Sequence, residues 1–238
     1  MPLRIGIDMD GVLADFGLAF HDVERRLFGS PGIDEGQPET EEQEQAAAVG
    51  AGRGAAEDVP AGDRSAHEVR RRRDLIWKTI QSTPDFWNTL KPIDASAVRR
   101  IHALMLQHGW EVFFITQRPN TDGRTVQRQT QQWLVAQGFD WPSVLVLGGS
   151  RGAAAGALRL DYLVDDTLMN CVAVRSESIA RTILIVRDGD EPMVASARKA
   201  GIGTVTSVAE ALDILERATL ARANPGMLAR LAQMVGWK

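Results

Sequence analysis

Asp8 and Asp10 are the residues whose type and spacing point most directly to chemistry. They lie in Ile-Gly-Ile-Asp-Met-Asp-Gly-Val-Leu-Ala-Asp-Phe, residues 5–16, where an apolar run from Leu3 to Ile7 ends in two acids and Gly11. Carboxylates crowded at one strand end repel one another and require a cation, a shared proton or a basic partner. Asp-x-Asp-Gly also occurs in plain turns. A calcium loop would need Asp-x-Asp-x-Asp-Gly and a distal Glu, which Met9-Asp10-Gly11-Val12 does not supply.

Three later stretches repeat the pattern of an apolar run ending in polar groups. Trp110 to Ile115 ends in Thr116-Gln117-Arg118-Pro119. Val144 to Leu147 ends in Gly148-Gly149-Ser150-Arg151-Gly152, and Tyr162 to Val164 ends in Asp165-Asp166. In a parallel sheet such ends share one edge, where ligands of open α/β sheets bind.

Phosphoryl transfer suits this set. Asp8 can attack phosphorus and form an aspartyl-phosphate, dividing one difficult step into two. Asp10, two residues on, can protonate the leaving group and then activate water. Thr116 can donate its hydroxyl to a phosphate oxygen, with amides around Gly11 helping as in other anion-binding turns. Asp8 and Asp165 can hold Mg²⁺, a hard cation that takes oxygen ligands and substrate phosphate.

The remaining pattern supplies the elements that must position these groups. Phe16, Phe20, Val23 and Leu27 form one stripe of a helix. Residues 30–68 carry Asp34, Glu35, Glu39, Glu41, Glu42 and Glu44 and then an Ala/Gly-rich stretch. Such a segment buries too little to offset its ordering entropy and reads as a disordered insertion, with room for short helical pieces. The basic run Arg70 to Arg73 reads as a solvated helix face, and a helix is expected over Asp74–Gln81. Further helices are expected at 95–108, from Val126 to Gln137, at Met193–Ala200 and at Val208–Ala218, with strands at Thr182–Val186 and Gly203–Val205. Leu220 to Trp237 reads as a helical tail. Alternating strands and helices predict an α/β fold, a Rossmann-like three-layer parallel sheet.

Asp8-Met9-Asp10-Gly11-Val12-Leu13-Ala14-Asp15 resembles the first motif of haloacid dehalogenase-like (HAD) phosphatases, and especially of the 5′(3′)-deoxyribonucleotidases. Thr116 after its strand resembles the second motif and Val164-Asp165-Asp166 the acidic fourth. Phe86-Trp87 followed by Leu90-Lys91-Pro92-Ile93 is similar to that branch's link between cap and core. The resemblance implies a HAD-like core at 1–16 and 93–218, a mainly helical cap at 17–92 inserted after the first strand, and a tail at 219–238. It implies Asp8 as nucleophile, Asp10 as acid/base, and Mg²⁺ held by Asp8, the Asp10 carbonyl and Asp165, with Asp166 in support. Thr116, Gln117, Arg118 and Arg151 would bind phosphate. Asp15, Phe86 and Trp87 would belong to the substrate pocket. For Asp15, capping of the following helix stands beside substrate contact. For the aromatics, including Trp77, a small cap core stands beside base stacking.

One departure stands out. The family uses a lysine against the phosphoryl group, and Lys78, Lys91, Lys199 and Lys238 do not fall in its place. Arg151 is the nearest substitute, with a larger planar head. The implied function is a Mg²⁺-dependent phosphomonoester hydrolase, a 5′-nucleotidase acting on (deoxy)nucleoside monophosphates. The alternatives are a phosphatase for another small phosphorylated metabolite and a catalytically degenerate HAD-like binding protein. A receiver-type signalling module fits poorly, because its acidic pair would follow the first strand.

The 238 residues, 44% hydrophobic and 24% charged, suit one large domain with an insert. The net charge of −4 favours neither a nucleic-acid polymer nor an anionic membrane as partner. No run approaches a membrane span, and no apolar signal core opens the chain, so the cytoplasm is the expected location. Cys171, the single cysteine, excludes an intrachain disulfide and reads as a buried thiol. The partner expected is a small phosphorylated substrate, and a homodimer is left open.

Overall fold

The computed structural model describes residues 2–29, 61–187 and 189–222, with the side chains of 61–66 set aside. Strand β1 (Arg4–Asp8) is buried at four of its five residues, the pattern of a central strand covered on both faces. Gly6 allows its neighbours to close in. A Cβ there would lie 2.7 Å from Leu160 Cδ1 and 2.8 Å from Leu163 Cδ1.

Helices α1 (Phe16–Phe28) and α2 (Ala61–Gln81) follow, and a 3₁₀ turn at Phe86–Asn88 leads to α3 (Ala95–His108). The chain then alternates: β2 (Glu111–Thr116), α4 (Val126–Ala136), β3 (Ser143–Val146), α5 (Arg151–Ala157) and β4 (Tyr162–Asp165). It ends with α6 (Leu168–Glu177), β5 (Arg181–Ile185), α7 (Glu191–Lys199), β6 (Gly203–Val205) and α8 (Val208–Arg222).

All strand pairs are parallel, in the order β3-β2-β1-β4-β5-β6. The chain moves outward from β1 to β3 and then restarts on the other side of β1 as β4. That reversal opens a crevice at the carboxyl ends of β1 and β4. Successive strand residues face opposite layers. Phe114 and Val164 join the core under α3 and α8, whereas Ile115 and Leu163 join Ala155 of α5 and Val174 of α6. The result is the expected three-layer α/β fold.

Phe16 stacks on Trp77 at 5.5 Å between ring centroids and meets Trp87 at 5.6 Å. These rings belong to the same core cluster as Ile7 and Phe114, so α1 and α2 are anchored on the sheet layer. The returning chain is stitched to the acidic loop: Asp15 N donates to Lys91 O at 2.8 Å, and Ile93 N donates to Leu13 O at 2.9 Å.

Two expectations need correction. Helix α2 starts at Ala61, thirteen residues before the expected Asp74 and inside the segment read as disordered. Alanine and arginine are strong helix formers, and Ile76, Trp77 and Ile80 bury the helix's far end. Residues 30–60 of that segment lie outside the described residues. Of the expected tail, Leu220 to Arg222 belong to the last turn of α8, and the rest lies outside the described residues. Among the described residues no helix is long and apolar enough to cross a membrane.

Candidate functional site

Strand register brings the first groups together. Asp8 lies opposite Ile115, one residue before Thr116, and Ile7 lies opposite Val164, one residue before Asp165. Three strands therefore end level, and a cavity of about 290 Å³ opens above them, lined by Asp8, Asp10, Asp15, Thr116, Gln117, Arg151 and Asp166 among others.

Arg151 is the first residue of α5, whose amino end is capped by Ser150 accepting from Gly152 N at 3.0 Å. Its Nη2 lies 2.5 Å from Asp8 Oδ1 and its Nε 3.2 Å from Asp165 Oδ2. The arginine thus stands between nucleophile candidate and acidic pair, where the resemblance expects a lysine. Its planar fork serves two carboxylates at once.

Asp10 has another partner. Arg118 Nε donates to Asp10 Oδ2 and Nη2 to Oδ1, both at 2.7 Å, while Thr116 Oγ1 donates to Oδ2 at 3.3 Å. Arg118, expected at the phosphate, is buried behind Asp10 and does not line the cavity. Gln117 does line it, and its Nε2 donates to Gly149 O at 3.3 Å.

The acidic pair is divided differently from the expectation. Asp165, expected among the metal ligands, is fully buried and does not line the cavity. Its Oδ1 accepts from Thr167 N at 2.8 Å and from Asn170 at 3.2 Å, and its Oδ2 meets Asn170 and Arg151. Asp166, expected only to support, faces the cavity. It packs over Gly11 so closely that a Cβ there would lie 1.8 Å from Asp166 Oδ2. Gly11 also has φ +76°, so the motif glycine serves both the left-handed turn and this approach.

Asp15 takes the capping role, and its substrate contact remains a proposal. It caps α1 by accepting from Leu18 N at 2.9 Å, and it lines the cavity. Phe86 and Trp87 are buried in the core, 3% and 1% exposed, and neither lines the acidic cavity. Phe16 is the aromatic that does. Cys171 is fully buried, and burial followed by the charges of Asp165 and Asp166 pushes its thiol well up. It is no nucleophile.

Arg187 was missed by the sequence reading. It follows β5, lines the cavity and donates through Nη1 to the Gly11 carbonyl. The signal that could have found it is the one used elsewhere: the first polar residue after an apolar strand on the functional edge.

Burial dominates the electrostatics. It raises the Asp8 carboxyl well above the ordinary range, opposed by Arg151 and reinforced by Asp165, Asp166 and Asp10. It raises Asp165 as well, and it pushes Asp166 up to about 7, reinforced by Asp165 and opposed by Arg187. Four carboxylates here face three guanidinium groups. A phosphomonoester dianion would oppose the ionisation of these carboxyls further, and a divalent cation would favour it.

The donor set fits such a cation. Among the described residues no three His, Cys, Asp or Glu side chains form a ready-made cage. Mg²⁺ is however usually held by one or two carboxylates, with waters and substrate phosphates completing its shell. Asp8 and Asp166, both facing the cavity and both raised by burial that the neighbouring arginines only partly offset, are the side chains that would supply those ligands.

No family model and no curated protein matches the chain. Solved structures do match. A phosphonoacetaldehyde hydrolase-like protein from Oleispira antarctica superposes with a TM-score of 0.54 at 16% identity, covering 98% of this chain and 94% of that one. A haloacid dehalogenase-like family hydrolase from Streptococcus pneumoniae gives 0.52 at 14% identity, over 89% and 97%. An L-2-haloacid dehalogenase gives 0.51 at 15% identity, over 92% and 100%. At these identities the likeness is one of fold, and the fold is HAD-like.

Proposed function

We propose that this chain is a Mg²⁺-dependent phosphomonoester hydrolase working through an aspartyl-phosphate on Asp8. The observation that carries the reading is the paired placement of Asp8 and Asp10 on one cavity wall, each with its own arginine. An Asp8 oxygen attacks phosphorus while Asp10 passes a proton to the departing ester oxygen. Water then attacks phosphorus, Asp10 takes its proton, and the bond to Asp8 breaks. Thr116 and Arg151 line the cavity beside Asp8 and can hold the phosphoryl oxygens. Asp8 and Asp166 would hold a divalent cation, which would supply charge neutralisation to the transferring group.

Asp10 favours a phosphatase over a dehalogenase, since displacing halide needs no proton donor. The contacts of Arg151 with both Asp8 and Asp165 support it as the substitute for the lysine whose absence motivates a degenerate binding protein. Nucleoside monophosphates are the substrates we propose, on the first-motif resemblance, the small cavity and the apolar wall of Phe16 and Ile93. Phe86 and Trp87 lend no support, being core residues.

Phosphate release from a panel of nucleoside monophosphates and sugar phosphates tests the reading. The expected result is hydrolysis that favours nucleotides, stops on chelation and returns with Mg²⁺. Silence across the whole panel would overturn the phosphatase. A preference for sugar phosphates would overturn only the substrate.

Melting temperature offers an independent check. Asp8, Asp165 and Asp166 have folded-state pKa values above their unfolded ones, so the folded protein holds those protons more tightly. Their stabilisation is complete below the unfolded value near 4 and is lost as pH rises through about 7 for Asp166. The ionised cluster is also the form that takes the cation. A fixed Mg²⁺ concentration of about 100 times its Kd at pH 8 should add about 2.7 kcal/mol there, and the same concentration should give a smaller gain in Tm at pH 5.5. Equal gains at both pH values would speak against Asp8 and Asp166 as ligands.

A further inference from the structure

We infer that Arg118 is a positioning residue that holds Asp10 in one orientation through both halves of the reaction, an inference that rests on the phosphatase reading above. Its side chain is only 1% exposed and does not line the cavity, so it is not placed to touch phosphate. All of its polar reach is directed inward. Nε and Nη2 grip the two oxygens of Asp10 at 2.7 Å, and Nη1 donates to Thr130 Oγ1 at 2.9 Å. The Thr130 hydroxyl is itself oriented, since it donates to Val126 O at 2.9 Å.

One face of the guanidinium lies over the Trp87 ring, 4.8 Å from its centroid. Trp87 cannot swing away. Its Nε1 donates to Pro119 O at 3.1 Å and its backbone N to Gln129 Oε1 at 3.0 Å. The aromatic that sequence alone could assign to a substrate base thus backs the arginine that orients the acid/base.

The chemistry explains why the fork matters. In the first half-reaction the Asp8 oxygen–phosphorus bond forms as the ester bond breaks, and the proton of Asp10 goes to the leaving oxygen. In the second, the water oxygen–phosphorus bond forms, the bond to Asp8 breaks, and the water proton goes to Asp10. Donor and acceptor must stay in one place across both steps, within hydrogen-bond reach of two different oxygens. A carboxylate oxygen has more than one lone pair, so the fork leaves acceptor capacity on Asp10 free, and Asp10 lines the cavity.

The test is a mutant cycle read on two substrates. Arg118→Met should lower kcat for a nucleoside monophosphate by about 10²-fold, with KM changed by less than about threefold. In single turnover with p-nitrophenyl phosphate, whose leaving group needs no proton, release should fall by less than about tenfold. Slow hydrolysis of the phosphoenzyme should then leave a burst. Introduced into Asp10→Asn, Arg118→Met should cost less than about a further twofold, because a residue acting through Asp10 has nothing left to position.

Additive losses in the cycle, or equal losses on the first step with both substrates, would overturn the role. A rise in KM alone would return Arg118 to phosphate binding. Should Arg118→Met fail to fold by circular dichroism, Thr130→Val removes the Nη1 acceptor, together with the hydroxyl's bond to Val126 O, and should lower kcat by about fivefold, with the same non-additivity. A wild-type protein silent on every phosphomonoester would overturn the phosphatase reading and this role with it, a result distinct from an active enzyme indifferent to Arg118.

Discussion

Asp8→Asn should reduce phosphate release by about 10⁴-fold or more while leaving the fold intact. The amide keeps the shape of the carboxyl group and can still accept from Arg151 Nη2, but it cannot form the aspartyl-phosphate. Stability should not suffer. Burial is the largest influence on the Asp8 carboxyl and opposes its ionisation, so an uncharged side chain removes a cost. Arg151 keeps Asp165 as partner. The Tm should therefore stay constant or rise, and the rise should be greater at pH 8, where the wild-type cluster is ionised, than at pH 5.5. Acid quenching of the wild type during turnover should yield covalent phosphate, and the variant should yield none. Covalent label in Asp8→Asn, or a residual rate above about 1% of wild type, would place the nucleophile elsewhere.

The same contrast shows what could be read from the chain alone. The convergence of Asp8, Asp10, Thr116 and Arg151 was legible because each closes or closely follows an apolar run, and a parallel sheet carries such ends to one edge. Arg187 satisfies the same rule after β5 and was overlooked only because no motif drew attention to it. The division of labour within Asp165-Asp166 was not legible. Adjacent residues at a strand end point in different directions, and only the closing geometry of β4 turns Asp165 towards Arg151 and Asp166 towards Gly11.

The partner of Arg118 was not legible for a related reason. An arginine near a phosphate motif suggests phosphate, but its partner depends on the path after Thr116, which buries the side chain behind Asp10. Phe86 and Trp87 were ambiguous by nature, because a core ring and a stacking platform share one composition. Helix α2 was underestimated at its amino end because few large apolar residues occur there. That pattern reports burial rather than helical preference.

Arg151 decides whether this site can operate without the lysine that the first-motif resemblance implies, and two substitutions separate its charge from its shape. Arg151→Met leaves Asp8 and Asp165 buried with their common cation gone. Breaking a buried pair by removing one partner costs about 3–5 kcal/mol, and losing a donor to the transferring group costs a further 10²–10³-fold or so in kcat. The stability loss should shrink at pH 5.5, since both carboxyls are already raised and protonate readily once unpaired. Arg151→Lys restores a point charge but not a fork. One ammonium must then serve positions that Nη2 and Nε now meet at 2.5 and 3.2 Å from two different residues. The expected outcome is a lysine variant within about 30-fold of wild-type kcat and more stable than Arg151→Met at pH 8. Retention of more than about 10% of turnover in Arg151→Met, with an unchanged Tm, would remove Arg151 from the site's chemistry altogether. A lysine variant as inactive as the methionine one would mean that the fork, and not the charge, is what this site has come to depend on.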